Sequence, residues 1–375
     1  MPAIEPIVMP KWGLAMQEGM LAEWHAAEGS TISKGQEIMD IETSKIANAF
    51  ESPVSGRLRR QLVSVGETVP VGALLGVVAD DSVTDAQLDA FIADFQASFT
   101  EAQSAAETVK GPEPEFVELP TGRLRYLRLG AGAGLPVIFL HGYGADLNNW
   151  LFNQPAVAAG HTTYALDLPG HGGSAKAVGD GTLASLAEAV LAFMQAKDIA
   201  KAHLVGHSMG GAVSLVLATD HPAKIASATL VCPAGLGPDI AMSYIDGFIE
   251  ASRRKKMEPV LQMLVANPDL VTGEMIEDVL KYKRLDGVDA ALRTLRDAIF
   301  PGGKQGLVLT DRLAEAQVPI QVLWGSQDRV LPASHGQGLP ARVQVTVFED
   351  AGHLAHMEKA GEVNAAIEAI LARAA

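Results

Sequence analysis

Gly206-His207-Ser208-Met209-Gly210 sets a hydroxyl between two glycines, directly after the apolar run His203 to Val205 and before the small-residue stretch Gly211-Ala212-Val213-Ser214-Leu215. That context is a strand-to-helix elbow, whose flanking glycines permit a strained turn that projects the serine hydroxyl beyond the strand end. A serine hydroxyl is a poor nucleophile until a neutral imidazole takes its proton. Two residues further on supply that base and its support, in the chain order such an elbow demands: Asp328 in Trp324-Gly325-Ser326-Gln327-Asp328 and His353 in Asp350-Ala351-Gly352-His353. Each lies just past an apolar run, so the expected triad is Ser208 as nucleophile, His353 as general base and Asp328 as its orienting acid. Acyl chemistry also needs donors for a tetrahedral oxyanion. His141-Gly142-Tyr143-Gly144 follows the run Pro136 to Leu140, which makes the backbone N–H groups of Tyr143 and Met209 the candidates.

Every one of these residues has a plainer competing reading. Ser208 could be an ordinary helix N-cap. His356, three residues after His353, could be the base instead. Asp167, in Asp167-Leu168-Pro169-Gly170-His171-Gly172, ends another apolar run and reads as a loop organiser. Cys232 reads as a small buried apolar residue. The run Arg253-Arg254-Lys255-Lys256 reads as a solvated helix face, or else as a contact for the phosphates of a nucleotide-bearing acyl acceptor. No metal site is predicted.

The elements that must position these groups divide the chain. Over the first 80 residues there is a repeat at a spacing of 37: Gly19 matches Gly56, Leu21 matches Leu58, Gly29 matches Gly66, Gly35 matches Gly72, and Ile38 matches Leu75. Two copies of one short β unit, forming a sandwich or flattened barrel over 1–80, are implied. Lys45 lies at the join between the copies, near a hairpin turn. Residues 81–115 form an acidic linker with eight acids and one base, Lys110. Within it, Thr84-Asp85-Ala86-Gln87 has capping-box form, and Leu88, Phe91, Ile92, Phe95 and Phe99 recur at helical spacing. These predict an amphipathic helix over 85–104, followed by open tether from Ala105 to Pro114. From Phe116 to the end, apolar strand-like runs alternate with helical stretches, predicting a mostly parallel, doubly wound α/β sheet over 116–375. The alternation breaks at about 237–310, where a helical cap is expected.

Composition narrows the function classes. Apolar residues are 48% and charged residues 19% of the chain, a globular balance, and no apolar run is long enough to cross a bilayer. The net charge of −15 repels phosphate backbones and anionic membrane surfaces, so neither nucleic acid nor membrane is an expected partner. A single cysteine excludes an internal disulfide framework and, with no secretory pattern at the N-terminus, suits the cytoplasm.

Residues 116–375 resemble α/β hydrolases through the histidine-glycine loop at 141–144, the loop at 167–172, the serine elbow, the aspartate loop and Gly352-His353. Residues 1–80 resemble the lipoyl domain of 2-oxo-acid dehydrogenase complexes, with Glu42-Thr43-Ser44-Lys45-Ile46 at the modification hairpin. Biotin carriers share that fold but usually flank the lysine with methionines, a pattern that Ser44 and Ile46 do not fit. The combination resembles the acetyltransferase subunits of bacterial acetoin dehydrogenase complexes. That resemblance implies N6-lipoyllysine at Lys45, installed by a lipoate ligase or lipoyl transferase, with coenzyme A as acyl acceptor. It also implies partnership with thiamine-diphosphate acetoin dehydrogenase subunits and dihydrolipoamide dehydrogenase. The chain departs from general acyltransferases in lacking their His-x-x-x-Asp-Gly signature. Two other classes are consistent with the residues: a plain esterase or thioesterase carrying a lipoyl domain, and a scaffold in which only the lipoyl arm is active.

Overall fold

The computed structural model describes residues 4–10, 18–42, 47–108 and 112–374, so Lys45 lies outside the described residues. The chain divides into two compact units, Met1–Gly111 and Pro112–Ala375.

The first unit holds β1 (Ile4–Val8), β2 (Glu18–Trp24), β3 (Thr31–Ile32), β4 (Glu37–Glu42), β5 (Ala47–Glu51), β6 (Gly56–Gln61), β7 (Thr68–Pro70) and β8 (Leu74–Ala79). They form two four-stranded sheets, ordered β1-β8-β6-β3 and β5-β4-β2-β7. The sheets are copies of each other. Adding 37 to β2, β3 and β4 gives β6, β7 and β8 to within a residue or two, and exchanging the copies turns one strand order into the other. Leu21 and Leu58, and Ile38 and Leu75, are fully buried in one core between the sheets. Turns that must reverse sharply carry glycine in left-handed backbone, at Gly29 and its copy Gly66 and at Gly35 and its copy Gly72. β4 pairs antiparallel with β5 as far as Glu42 opposite Ala47, and Lys45, in the sequence between these two strands, lies outside the described residues.

Helix α1 (Asp85–Thr108) completes this unit. It starts at a reciprocal capping box, in which the Thr84 N–H donates to Gln87 Oε1 at 2.9 Å and the Gln87 N–H to Thr84 Oγ1 at 3.4 Å. Leu88 is buried on Leu74, Val77 and Ala79 of β8, with Phe91, Ile92 and Phe95 packed at the margin. All six β8 residues are buried, because the core takes one face and α1 the other. The helix runs four residues past the expected end at 104, so part of the stretch read from sequence as open tether is helical.

In the second unit, β9 (Glu115–Leu119) and β10 (Gly122–Leu129) form an antiparallel hairpin. Then come β11 (Val137–Leu140), α2 (Gln154–Ala158), β12 (Thr163–Leu166), α3 (Leu183–Ala196), β13 (Ala202–His207), α4 (Met209–Asp220) and β14 (Ile225–Val231). Four helices follow, α5 (Met242–Glu250), α6 (Arg254–Gln262), α7 (Gly273–Lys283) and α8 (Val288–Ile299), then the short α9 (Thr310–Leu313). The chain returns to the sheet through β15 (Ile320–Gly325) and β16 (Gln344–Phe348) and ends on α10 (Ala355–Glu358) and α11 (Ala360–Arg373). The sheet order is β16-β15-β14-β13-β11-β12-β10-β9, parallel from β16 to β12 and antiparallel beyond. β11, β13, β14 and β15 have every residue buried, as expected where helices cover both faces. Three of these strands end at the loops that carry Tyr143, Ser208 and Asp328.

Candidate active site

Ser208 follows β13 directly and opens α4 with φ 53° and ψ −115°, a backbone that side-chain-bearing residues rarely adopt. The elbow leaves no room beside it. A Cβ on Gly206 would sit 2.3 Å from the Gly210 carbonyl oxygen, and one on Gly210 2.2 Å from that of Leu140. The Ser208 side chain makes no capping bond to the helix, so its hydroxyl is not committed to an N-cap role. Its main chain is held, the N–H donating to Val231 O at 3.0 Å.

Asp328, in the loop after β15, has a fully buried carboxylate. Oδ1 accepts the N–H groups of Val330 and Leu331 at 2.8 and 2.9 Å; Oδ2 accepts Trp324 Nε1–H at 3.0 Å and His353 Nδ1 at 2.8 Å. A carboxylate that accepts its other three bonds from N–H donors also acts as acceptor towards His353, so Nδ1 carries the proton and Nε2 of the neutral ring is left as a base. His353 follows β16 on a loop fixed at both sides: the Gly352 N–H donates to Glu358 Oε2 at 2.6 Å and the Leu354 N–H to Leu264 O at 2.9 Å.

His207, the residue before Ser208, joins the two halves of the candidate site. Its Nε2 bonds the His353 carbonyl oxygen at 2.9 Å, its Nδ1 lies 3.4 Å from Asn149 Nδ2, and the rings of His207 and His353 are 4.7 Å apart. The hydrogen bonds of His353 among the described residues go to Asp328 and His207 and not to Ser208. Such a bond commonly tightens only when substrate is present.

Gly142 lines the other side of Ser208, for a Cβ there would lie 3.1 Å from Ser208 Cβ. The next residue, Tyr143, is fixed by two cap helices: its hydroxyl donates to Leu292 O at 2.7 Å and its carbonyl accepts the Tyr244 hydroxyl at 3.4 Å. Met209 is the first residue of α4, where a backbone N–H has no partner inside the helix.

The competing residues have other surroundings. His356 is fully buried against His207 and Trp150, and neither ring nitrogen has a hydrogen-bond partner among the described residues. Burial lowers its pKa to about 3, so it stays neutral. Asp167 accepts the N–H groups of Leu147 at 2.8 Å and Gly173 at 2.6 Å and pairs with Arg125 at 2.5 Å, which ties its own loop together. The buried Cys232 faces the acid-base pair, its sulfur 3.8 Å from Gly352 O and within 4.8 Å of the ligand atoms of Asp328 and His353. Burial, reinforced by the Asp328 carboxylate, pushes its thiol up and keeps it protonated. Sequence reasoning missed Trp324, His207 and Glu358. Of these only His207, inside the elbow, carried a signal of position.

An acid-base pair beside a strained serine, on an α/β sheet joined to a β-sandwich carrier, defines a class of two-module acyl-handling proteins. Residues 136–360 match the alpha/beta hydrolase fold family, and residues 5–78 match the biotin-requiring enzyme family of biotin and lipoyl domains. The chain belongs to the family of dihydrolipoyllysine-residue acetyltransferase components of acetoin cleaving systems. It is 47% identical to the one from Pseudomonas putida over 99% of both chains, and 45% identical to that of Cupriavidus necator over 98% of this chain and 97% of the relative. Among solved structures it resembles the meta-cleavage product hydrolase from Pseudomonas fluorescens IP01 in fold, with a TM-score of 0.63, 21% identity, and coverage of 70% of this chain and 98% of the other. No helix among the described residues is long and apolar enough to cross a membrane.

Proposed function

We propose that this chain is the acetyltransferase of an acetoin-cleaving multienzyme system, moving an acetyl group from its carrier unit to coenzyme A through Ser208, His353 and Asp328. The observation that carries the reading is the Asp328 carboxylate, which accepts four hydrogen bonds and so fixes the His353 ring with its base nitrogen free. A lipoyl group on Lys45, which lies in sequence between the paired strands β4 and β5, would supply a dithiol able to hold acetyl as a thioester.

The residues of the second unit do the rest. Ser208 Oγ bonds to the acetyl carbonyl carbon while His353 Nε2 takes the hydroxyl proton. The N–H groups of Tyr143 and Met209 receive the oxyanion, each contributing roughly 3 kcal/mol to the transition state. The carbon–sulfur bond breaks and His353 returns its proton to the departing sulfur. The thiol of coenzyme A then gives its proton to His353 and attacks the acetyl ester; Ser208 leaves and recovers the proton. Asp328 stays ionised throughout and balances the imidazolium. The family reading also supports a cytoplasmic setting, loading by a thiamine-diphosphate acetoin-cleaving enzyme, reoxidation by dihydrolipoamide dehydrogenase, and attachment of the lipoyl group by a ligase or transferase.

The test supplies the lipoylated full chain with an acetyl donor and coenzyme A, and measures acetyl-coenzyme A against free acetate. The expected product is acetyl-coenzyme A, with transfer lost in Ser208→Ala. Acetate as the product would make the second unit a thioesterase, and parental-rate transfer by Ser208→Ala would remove Ser208 from the chemistry.

A further inference from the structure

The first turn of α6 carries the wrong charge for a helix start. Backbone N–H groups make that end electropositive, so carboxylates stabilise it and cations oppose it. Helices α7, α8, α9 and α11 follow the rule with Glu274, Asp289, Asp311 and Glu362 in their first turns. α6 instead begins Arg253-Arg254-Lys255-Lys256, with no acid in its first turn. All four residues are exposed, and Arg253, Lys255 and Lys256 form no ion pair among the described residues. Arg254 leans towards the start of α7, its guanidinium 2.9 Å from where a Cβ on Gly273 would lie. In a chain of net charge −15, three unpaired cations within four residues at a helix start lower stability, and helix formation gives no reason for them.

The other end of α6 is fastened to the catalytic loops. Arg329, next to Asp328, donates through Nη2 to Gln262 O at 2.7 Å and Val265 O at 2.6 Å. Leu354, next to His353, donates its N–H to Leu264 O at 2.9 Å. Glu358 bridges the same two segments, accepting the Ala266 N–H at 2.8 Å and the Gly352 N–H at 2.6 Å. The segment that follows α6 is therefore fastened to the loops of Asp328 and His353, and the cations stand at the opposite end of the helix, about 14 Å along its axis at 1.5 Å per residue. A pantetheine arm, with two amides and their spacers, has the chain length of about four extended residues, roughly 15 Å.

We propose that Arg253, Lys255 and Lys256 bind the phosphates of coenzyme A, at the far end of α6 from the loops that carry Asp328 and His353. The inference rests on the acetyltransferase reading above and adds to it the residues that tell coenzyme A from smaller thiols. Full-length protein with Arg253→Gln, Lys255→Gln and Lys256→Gln together should bind coenzyme A about ten-fold more weakly by calorimetry, the effect of losing a charge-assisted contact or two. The ratio of kcat/KM for coenzyme A over pantetheine, which lacks the phosphates, should fall by a similar factor. Lys255→Arg with Lys256→Arg, which keeps the charge, should retain both quantities. The single variants Lys255→Gln and Lys256→Gln provide the same readouts should the triple variant melt early. Parental coenzyme A affinity and an unaltered ratio in a triple variant that still transfers acetyl would overturn the phosphate site and leave the transferase reading intact. A parental protein that neither binds coenzyme A nor acetylates it would remove both.

Discussion

The two units place strain and protons differently. In the first, left-handed backbone among the described residues occurs only at glycines: Gly29, Gly35, Gly56, Gly66 and Gly72. In the second it is also imposed on Asp198, Ser208, Cys232 and Asp350. Ser208, Cys232 and Asp350 each stand within two residues of the end of β13, β14 or β16, around the Asp328–His353 pair. A side chain in that conformation costs about 1–2 kcal/mol, which a turn avoids by using glycine. A reactive site cannot, because it needs the side chain there. Histidines divide the same way. His25 of the first unit is exposed to solvent and hydrogen-bonded to Asp40, whereas His141, His171, His203, His207 and His356 of the second are buried and held neutral by desolvation.

The largest effect should come from the carrier. Lys45→Arg is expected to abolish the single lipoyl mass addition seen after coexpression with a lipoate ligase, and acetyl transfer with it; an addition that persists in intact-mass spectra would place the group elsewhere. Asp328→Asn should come next, with transfer slowed on the order of 10⁴-fold because an amide permits the wrong His353 tautomer. A kcat within ten-fold of the parental value would show that the pair does not act as a unit.

Acid should separate the units more gently. Burial depresses His203 to about 4 and His356 to about 3, while the unfolded chain takes up protons near 6.5. Between those values the unfolded chain binds more protons, so the second unit loses stability as pH falls below about 6.5. His25 has the opposite sign: its hydrogen bond to the Asp40 carboxylate raises its pKa, so its contribution is complete below 6.5 and disappears as pH rises through the folded value. Hydrogen exchange on the whole chain at pH 7 and pH 5 should show β13 and β14 losing protection at the lower pH while β4 and β8 keep theirs; uniform loss would contradict the division. Smallest, Gly29→Ala and Gly66→Ala should each cost about 1 kcal/mol and agree within a few tenths, because the turns are copies and a Cβ meets nothing closer than 3.9 Å. Unequal losses in chemical denaturation would break the equivalence of the repeats.

The loops of the candidate site were legible because an elbow, an acid loop and a histidine loop must each follow a strand, and short apolar runs mark strands. The hairpin β9–β10 was not, since Glu118, Arg123, Arg125 and Arg128 interleave with its apolar residues and blur an edge that faces water on one side. The support for Asp328 was illegible for another reason: the N–H groups of Val330 and Leu331 are main-chain atoms that any residue would supply. The capping box and stripe of α1 were plain, but helical periodicity says only that one face is covered, never by what. The missing clue stood in Leu74-Leu75-Gly76-Val77-Val78-Ala79, an unbroken small and apolar run in a repeat whose other copy reads Glu37-Ile38-Met39-Asp40-Ile41-Glu42. A strand that ceases to alternate has acquired a second cover.

That cover decides where the carrier can be excised. A fragment ending at residue 80, where the repeat ends, would present Leu74 and Val77 bare to water beside Ile4 and Val8, a ready nucleus for self-association in a recombinant host. Taken through residue 111, the fragment brings its own shield, and the solubility of a transplanted arm then depends on a helix that contributes nothing to the repeat.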